Sequence, residues 1–506
     1  MKHILGTALL GLFSIFGSGL CRAEMKAGFA ERDITPLKGM EQPGGYGKAY
    51  NQGEVHDPLK ARAVVFDDGV RRTALVALDT AAVPAHLVKA VRAEIQQKCG
   101  IPPETVLVAA SHTHSGGPLE GIRPGEFDGA PELVRRLAYE HSGVENQEYV
   151  AIVHRAIVET VVEADRNRVA ARACAGKGRE EKASFNRRFR MKNGLTYTHP
   201  NNFRTFGNPD ILEPAGPIDP EVGVIGVWGR AGDFLGCVVN YANHATNGPG
   251  EISADYIYYL EKTVRGVMGE KSVVVFLNGA CGDVTQVDNR SPYEIEFGER
   301  SARFVGTAVG AEVLKVLAQA EPADLMPIRF RSEIMEIPYR RPAPETVQKA
   351  LALVSRPPEE KRQTEWTFAK ETVLLNERLR REAAARFEIQ AIQIGPVILW
   401  ANPSEFFAQL GLDLKARSPF PLTMVVELAN GILGYVPTVE AFASDGGGYE
   451  TRLTYYSNLE VGAGPRIVGA SRKLIEGWQP GVLPEPPRKA PFAGAWEYGS
   501  VPPELK

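Results

Sequence analysis

Cysteine is scarce, with five in 506 residues, and no two are spaced as CxxC, so neither a thiolate zinc site nor a redox pair of that form is encoded. Neither sign of charge dominates. The formal net charge is -3, and nothing in its distribution points to a nucleic-acid partner. Past Leu20 no apolar run is long enough to span a bilayer, and there is no repeat of fixed period. What remains is ordinary for a globular chain: 44% hydrophobic and 24% charged residues are enough for a large core.

The N-terminus stands apart from the rest. Met1-Lys2-His3 precedes the apolar stretch Ile4 to Leu20, and Cys21-Arg22-Ala23 follows, with small side chains at the two positions a signal peptidase reads. This is the pattern of a secretory signal cleaved after Ala23, and the apolar run falls short of the ~20 residues of a membrane span. A periplasmic or secreted protein is expected. Cleavage leaves 56 basic and 61 acidic residues and four cysteines, Cys99, Cys174, Cys237 and Cys281. Cys174 and Cys237 lie inside apolar runs and read as buried thiols.

Strand-like and helix-like runs alternate beyond Ala23. Ala61 to Phe66, Thr73 to Leu78 and Thr105 to Ala110 read as strands, with His86 to Cys99 a helix between the second and third. Val222 to Trp228 and Leu235 to Asn240 flank a glycine-bounded turn and read as a hairpin. Ser272 to Leu277, Ile392 to Trp400 and Leu422 to Leu428 are further buried strands, and Gln147 to Asp165 and Gly298 to Ala318 have helical periodicity. The expectation is an α/β protein, a mixed β-sheet core flanked by helices in a single large domain over residues 24–480. Residues Pro344 to Arg381 read as two solvated surface helices broken at Pro357-Pro358. The proline-rich residues 481–506 read as an extended strap.

The candidate functional groups lie just past strand ends, where open α/β sheets place their ligands. Ser111-His112-Thr113-His114-Ser115-Gly116-Gly117 follows Ala110. Two histidines at i and i+2 in extended chain point the same way, and the glycines are expected to admit a substrate. His244, Asp283, Thr285 and Glu405 follow the strands ending at Asn240, Leu277 and Trp400. Two imidazoles and a carboxylate suit zinc and leave an open position for water. His86, His141, His154 and His199 read as structural, while for His56 the structural and functional readings are balanced.

Over residues 26–480 the chain resembles the neutral/alkaline non-lysosomal ceramidases. The resemblance rests on Asp33-Ile34-Thr35-Pro36, Ser111 to Gly117, Asn186-Arg187, Asn243-His244-Ala245-Thr246, Ser253-Ala254-Asp255-Tyr256, Asn278 to Val284, Glu405-Phe406, Gly434-Tyr435-Val436-Pro437 and Gly448-Tyr449-Glu450, in that order. It implies that His112, His244, Glu405 and Tyr449 bind Zn2+ and that His114 is the general base. Arg187 and Tyr456 are then the oxyanion donors and Thr285 a further catalytic hydroxyl, with Tyr435 and Tyr455 as core or rim residues. The implied reaction is hydrolysis of the amide of ceramide or a related N-acyl lipid, with peripheral membrane contact. Zinc supplies water of pKa ~7, and His114 moves its proton to the leaving amine.

Two departures qualify the resemblance. Thr285-Gln286 stands where those ceramidases have Ser-Pro, keeping the hydroxyl and losing the ring-fixed backbone, and a counterpart of their C-terminal β-sandwich domain is not expected after residue 480. Weaker lipid capture, or a substrate other than ceramide, is the implication. Hydrolysis of an ester on the same scaffold, and an exported zinc-binding protein without catalysis, are the competing readings.

Overall fold

Two-residue alternation along the strands decides the layering. The computed structural model describes residues 24–44, 48–201, 207–293, 297–358, 363–485, 493–500 and 502–506; the expected signal segment lies outside them. The first half of the chain forms β1 (Lys26–Asp33), β2 (Lys60–Asp67), β3 (Arg72–Leu78), α1 (Ala85–Cys99), β4 (Val106–Ala110), α2 (Glu132–Tyr139), α3 (Gln147–Arg166), β5 (Val169–Arg179), β6 (Phe185–Asn186), β7 (Arg188–Met191), β8 (Thr196–Thr198), β9 (Ile211–Pro214), β10 (Glu221–Gly229) and β11 (Phe234–Tyr241). The second half forms α4 (Tyr256–Met268), β12 (Val273–Asn278), β13 (Val284–Thr285), α5 (Glu299–Gln319), β14 (Ile328–Pro338), α6 (Pro344–Val354), α7 (Gln363–Arg378), β15 (Ala384–Ile394), β16 (Val397–Ala401), β17 (Ser404–Phe406), α8 (Ala408–Ala416), β18 (Leu422–Val426), β19 (Gly434–Val436) and α9 (Ala463–Leu474). Among the described residues no helix is long and apolar enough to cross a membrane.

Eight strands form one sheet in the order β12-β11-β10-β5-β1-β2-β3-β4, and β14-β15-β16-β18 form a second. On β2 and β3, Val64, Phe66, Leu75 and Ala77 face the second sheet and meet Ile392, Leu399 and Met424. Their neighbours Ala63, Val65 and Val76 face the other way, onto Leu87 and Val91 of α1, Ile157 of α3 and Val309 of α5. Strands β15 and β16 alternate likewise, so that Ile389, Ala391, Ile398 and Trp400 pack on Leu375, Leu410 and Ile467 of α7, α8 and α9. The expected mixed sheet flanked by helices is thus two stacked sheets with helices on both outer faces.

Three expectations change. Ile392 to Trp400 is not one strand: Ile394 pairs with Val397 across Gly395-Pro396, and Gly395, at φ 57°, supplies the positive φ that such a two-residue turn needs. The last buried strand ends at Val426, two residues early. The charged segment after Pro344 is two helices, as expected, but α7 is not solvated, since Trp366 to Leu375 are all buried. Its partner is the loop region around α2, to which Lys370 Nζ donates at His141 O (3.0 Å) and Ser142 Oγ (2.9 Å). Cys174 and Cys237 are buried free thiols, as expected.

One ion cluster sits inside the helical layer. Arg62 of β2, 1% exposed, donates from Nη1 to both oxygens of Asp79 (2.9 and 2.8 Å) and from Nε to Glu261 of α4 (3.1 Å). Burial drives Asp79 up to about 6 despite Arg62. Burial also opposes ionisation of Glu261, but Arg62, Lys60 and Arg265 outweigh it and hold that carboxyl at about 2. Replacing Arg62 with leucine leaves two buried carboxylates short of a cation, and we expect a loss of about 3–5 kcal/mol in urea unfolding. A change below about 1 kcal/mol, the usual worth of an exposed pair, would show that the cluster contributes no more than a surface ion pair.

Candidate metal centre

Parallel neighbours deliver their C-terminal ends to the same rim, and here β3 with β4, β11 with β12, β16 with β18 and β17 with β19 are parallel pairs. A parallel bridge between Thr113 and Ala245 joins the segments that leave β4 and β11. His112 and His114 follow β4, His244 follows β11, Cys281 and Asp283 follow β12, and Glu405 lies on β17 just past β16. Of the residues singled out at strand ends, His112, His114, His244 and Glu405 are thereby brought together. Gly282 makes the approach feasible, because a Cβ there would lie 2.5 Å from the carbonyl oxygen of Glu405.

Each of the three imidazoles is anchored through Nδ1 to a main-chain carbonyl. His112, held at φ 67° in a region that non-glycine residues avoid, points Nδ1 at Ala81 O (2.8 Å). His244 Nδ1 meets Cys281 O (2.8 Å) and His114 Nδ1 meets Gly44 O (3.1 Å). A carbonyl only accepts, so each Nδ1 carries the hydrogen and each neutral ring keeps its lone pair on Nε2. Those lone pairs converge. Glu405 Oε2 lies 3.4 Å from Nε2 of both His112 and His244, and His114 Nε2 lies 3.5 Å from His112 Nε2.

His244 Nε2 and Glu405 Oε2 are buried without a hydrogen-bond partner, which is costly for acceptors packed together unless a cation lies among them. Tetrahedral zinc with bonds of 2.0–2.1 Å sets its ligand atoms about 3.4 Å apart, so the spacing fits such an ion. The three histidines form a group able to hold a metal. Glu405, beside that group, lies against His112 and His244, whereas His114 touches His112 and makes no ion pair with Glu405 among the described residues.

Electrostatics agree with a cation at this point. Burial works against a proton on His112, but Glu405 and Glu427 outweigh it and raise that imidazole to about 9. Burial pushes His244 well down, helped by Arg187 and His112, and burial with His112 pushes His114 down to about 3. Burial opposes the Glu405 charge, yet His112 and His244 outweigh it and hold the carboxyl well below its usual range.

A second layer surrounds Arg187. It is 4% exposed, a buried guanidinium. Its Nε donates to Glu450 Oε1 (2.9 Å), and its Nη2 donates to Gly282 O (2.8 Å) and Tyr435 Oη (3.2 Å). Nη1 has no hydrogen-bond partner among the described residues. Tyr435 Oη also meets Tyr449 Oη at 3.0 Å, and the Tyr456 ring packs 6.2 Å from that of Tyr435. Thr285 is buried, with its hydroxyl donating to Gln286 Oε1 (2.8 Å). Gln286 donates to Thr246 O (2.8 Å) and accepts from Thr246 Oγ1 (2.9 Å), so hydrogen bonds hold the loop where proline was expected.

Other expectations resolve differently. Gly116 and Gly117 do not open a path for substrate; a Cβ on Gly117 would lie 2.3 Å from the Tyr149 ring, so the glycines serve close packing. Asp283 accepts from Ala408 N and Asn186 Nδ2 (2.9 and 2.8 Å) and ties α8 to the site without entering it. His56 is hydrogen-bonded to Asp57 (2.8 Å) and outside the trio. Tyr455 donates to Glu126 and lies under Arg378, a rim position as expected.

Four residues escaped the sequence reading. Tyr435 is the strand partner of Glu405 in the parallel β17–β19 pair, so the two side chains emerge on the same face. It was expected as a core or rim residue, and it is buried in the core with its hydroxyl meeting Arg187 and Tyr449. Glu450 is fully buried on Arg187. Glu120, driven by burial up to about 7, lies within reach of the charges of His112 and Glu405. Glu427 is fully buried behind the cluster.

No family model matches the sequence, and no curated protein matches it. Solved structures do. A ceramidase complexed with C2 superposes with a TM-score of 0.64 at 18% identity, over 93% of this chain and 77% of that one. A neutral ceramidase from Pseudomonas aeruginosa gives 0.64 at 20% identity, over 92% and 77%. The chain has the neutral ceramidase fold.

The converged acceptors lead to a direct expectation. After chelator treatment, titration with Zn(II) or Co(II) should saturate at about one ion per chain, and His244→Ala should abolish that binding while leaving the far-ultraviolet circular dichroism spectrum unchanged. Undiminished binding by the variant would remove His244 from the centre.

Proposed function

We propose that this protein is a zinc-dependent hydrolase that acts outside the cytoplasm on the amide bond of N-acyl lipids of the ceramide class, releasing fatty acid and amine. The observation that carries this reading is the convergence of tautomer-fixed Nε2 atoms and Glu405 Oε2 at the spacing of a metal's ligands. The likeness of fold to ceramidases, one of them complexed with C2, supports the substrate class.

His112, His244 and Glu405 are the residues to hold zinc. The tyrosine ligand expected at Tyr449 is better supplied by Tyr435, because strand register sets Tyr435 beside Glu405, with Tyr449 hydrogen-bonded to it. Bound zinc supplies Lewis-acid activation of a water, lowering its pKa to ~7. His114, neutral and with its lone pair on Nε2, accepts the proton of the attacking water and returns it to the amide nitrogen as the carbon–nitrogen bond breaks. Arg187, through Nη1, and Tyr456 face the oxygen that becomes negative. Thr285, its hydrogen committed to Gln286, offers only lone pairs, and so accepts from a substrate hydroxyl or N–H.

Amides test this assignment because their leaving group must be protonated, whereas an ester's alkoxide depends far less on it. His114→Ala should keep its zinc, lose about 100- to 10,000-fold in turnover of an N-acyl amide, and lose much less on the matched ester. Release of zinc by this variant would make His114 a ligand, and equal losses on both substrates would remove it as the acid. Ester turnover without amide turnover in the unmodified protein would replace the amidase reading with an esterase.

A further inference from the structure

We infer that Glu427 is a positioning residue whose carboxylate clamps the loop that orients His244 to the strand that carries Glu405, and thereby sets the separation of these two metal-binding groups. The inference deepens the zinc reading above and rests on it for the identity of the ion.

Glu427 stands one residue beyond β18, fully buried, with its own N–H donating to Asn278 O (3.1 Å). Its Oε2 accepts two main-chain N–H groups, from Cys281 (3.0 Å) and Phe406 (2.9 Å). Oε1 accepts from Cys281 Sγ (2.9 Å). Both clamped residues lead directly to the centre: Cys281 O receives Nδ1 of His244 (2.8 Å), and Phe406 follows Glu405 in the chain. Gly282 N donates to Phe406 O (2.9 Å), which closes the connection between the two segments. No other side chain among the described residues accepts from both.

The chemistry of the partners explains why an acid occupies a core position. Glu427 makes no ion pair with any lysine, arginine or histidine among the described residues, and what its oxygens touch are donors of the loop and the strand. Its partners are three donors, two of them main-chain groups that no neighbouring carbonyl satisfies. An apolar residue of similar size would fill the volume and leave the loop and the strand unjoined. A glutamine would retain the clamp, since its carboxamide oxygen accepts both N–H groups and its NH2 faces the sulfur. An aspartate would retain the carboxyl group but is one methylene too short to hold both.

The experiment compares Glu427→Ala, Glu427→Asp and Glu427→Gln with the unmodified protein, well below their melting midpoints. Zn(II) affinity is measured by competition with a chromophoric chelator, and the side-chain nitrogens of metal-free, 15N-histidine-labelled protein by NMR. We expect affinity to fall about 10- to 100-fold in the alanine and aspartate variants and to stay within about threefold in the glutamine variant. The His244 signal should change from one Nδ1–H tautomer to a mixture in the same two variants. The aspartate variant decides the matter if alanine does not fold. Unchanged affinity and an unchanged His244 tautomer in alanine or aspartate overturn the inference, because a residue serving only stability lowers the melting temperature and alters neither. Equal weakening in the glutamine variant overturns it too, making charge rather than geometry the cause. If the unmodified protein binds no zinc but the tautomer still responds as expected, the clamp stands and the zinc reading falls.

Discussion

Lone pairs aimed at one another without hydrogens between them are the constraint around which this protein is arranged. Left to themselves, imidazole nitrogens and a carboxylate oxygen in a buried space move apart, rotate or bind water. Here each ring is fastened from behind by a carbonyl, and the carboxylate comes from a strand edge pinned on both sides. The resulting strain is visible at His112, whose backbone sits at φ 67°, a conformation worth of order 1–3 kcal/mol that persists only where surrounding contacts impose it. Two stacked sheets, each with helices behind it, impose such contacts.

Around the centre, charge is organised in shells. Arg187 and Glu450 form a fully desolvated pair on one side, and Arg62 with Asp79 and Glu261 anchor the start of the loop that leads from β3 on another. Neither pair is an economical way to stabilise a core, because desolvation consumes most of the Coulombic gain. What such pairs do provide is direction, since a guanidinium fork accepts few arrangements of its partners. Tyr435 illustrates this, being hydrogen-bonded by Arg187 on one side and by Tyr449 on the other.

The positions of the chemistry were legible in the sequence because strand ends are. Apolar runs of five to eight residues end at Ala110, Tyr241 and Ala401, and polar residues with no role in a strand follow at once. The His112-Thr113-His114 spacing put both rings in one place, although the backbone that does so is not plain extended chain, since His112 sits at φ 67°. What escaped depended on long-range contact. Gly395-Pro396 is itself a turn signal, but it lies inside a run that is apolar on both sides. Helix α7 carries charge enough to look solvated, and only its packing on the α2 region shows otherwise. Tyr435 and Glu427 have roles set by chains more than 20 residues away in sequence, which no local pattern encodes.

The anchors of the three imidazoles are the carbonyl oxygens of Gly44, Ala81 and Cys281. A carbonyl is common to every residue type, so these three positions can change their side chains over evolutionary time without loosening a ring, provided the backbone keeps its course. Inheritance of the centre is then carried by the path of the chain and by a handful of side chains, a small fraction of the letters. Chains built in this way can share only 18–20% of their letters while their backbones superpose over more than nine-tenths of this chain, and comparison of letters loses the common fold well before comparison of shapes does.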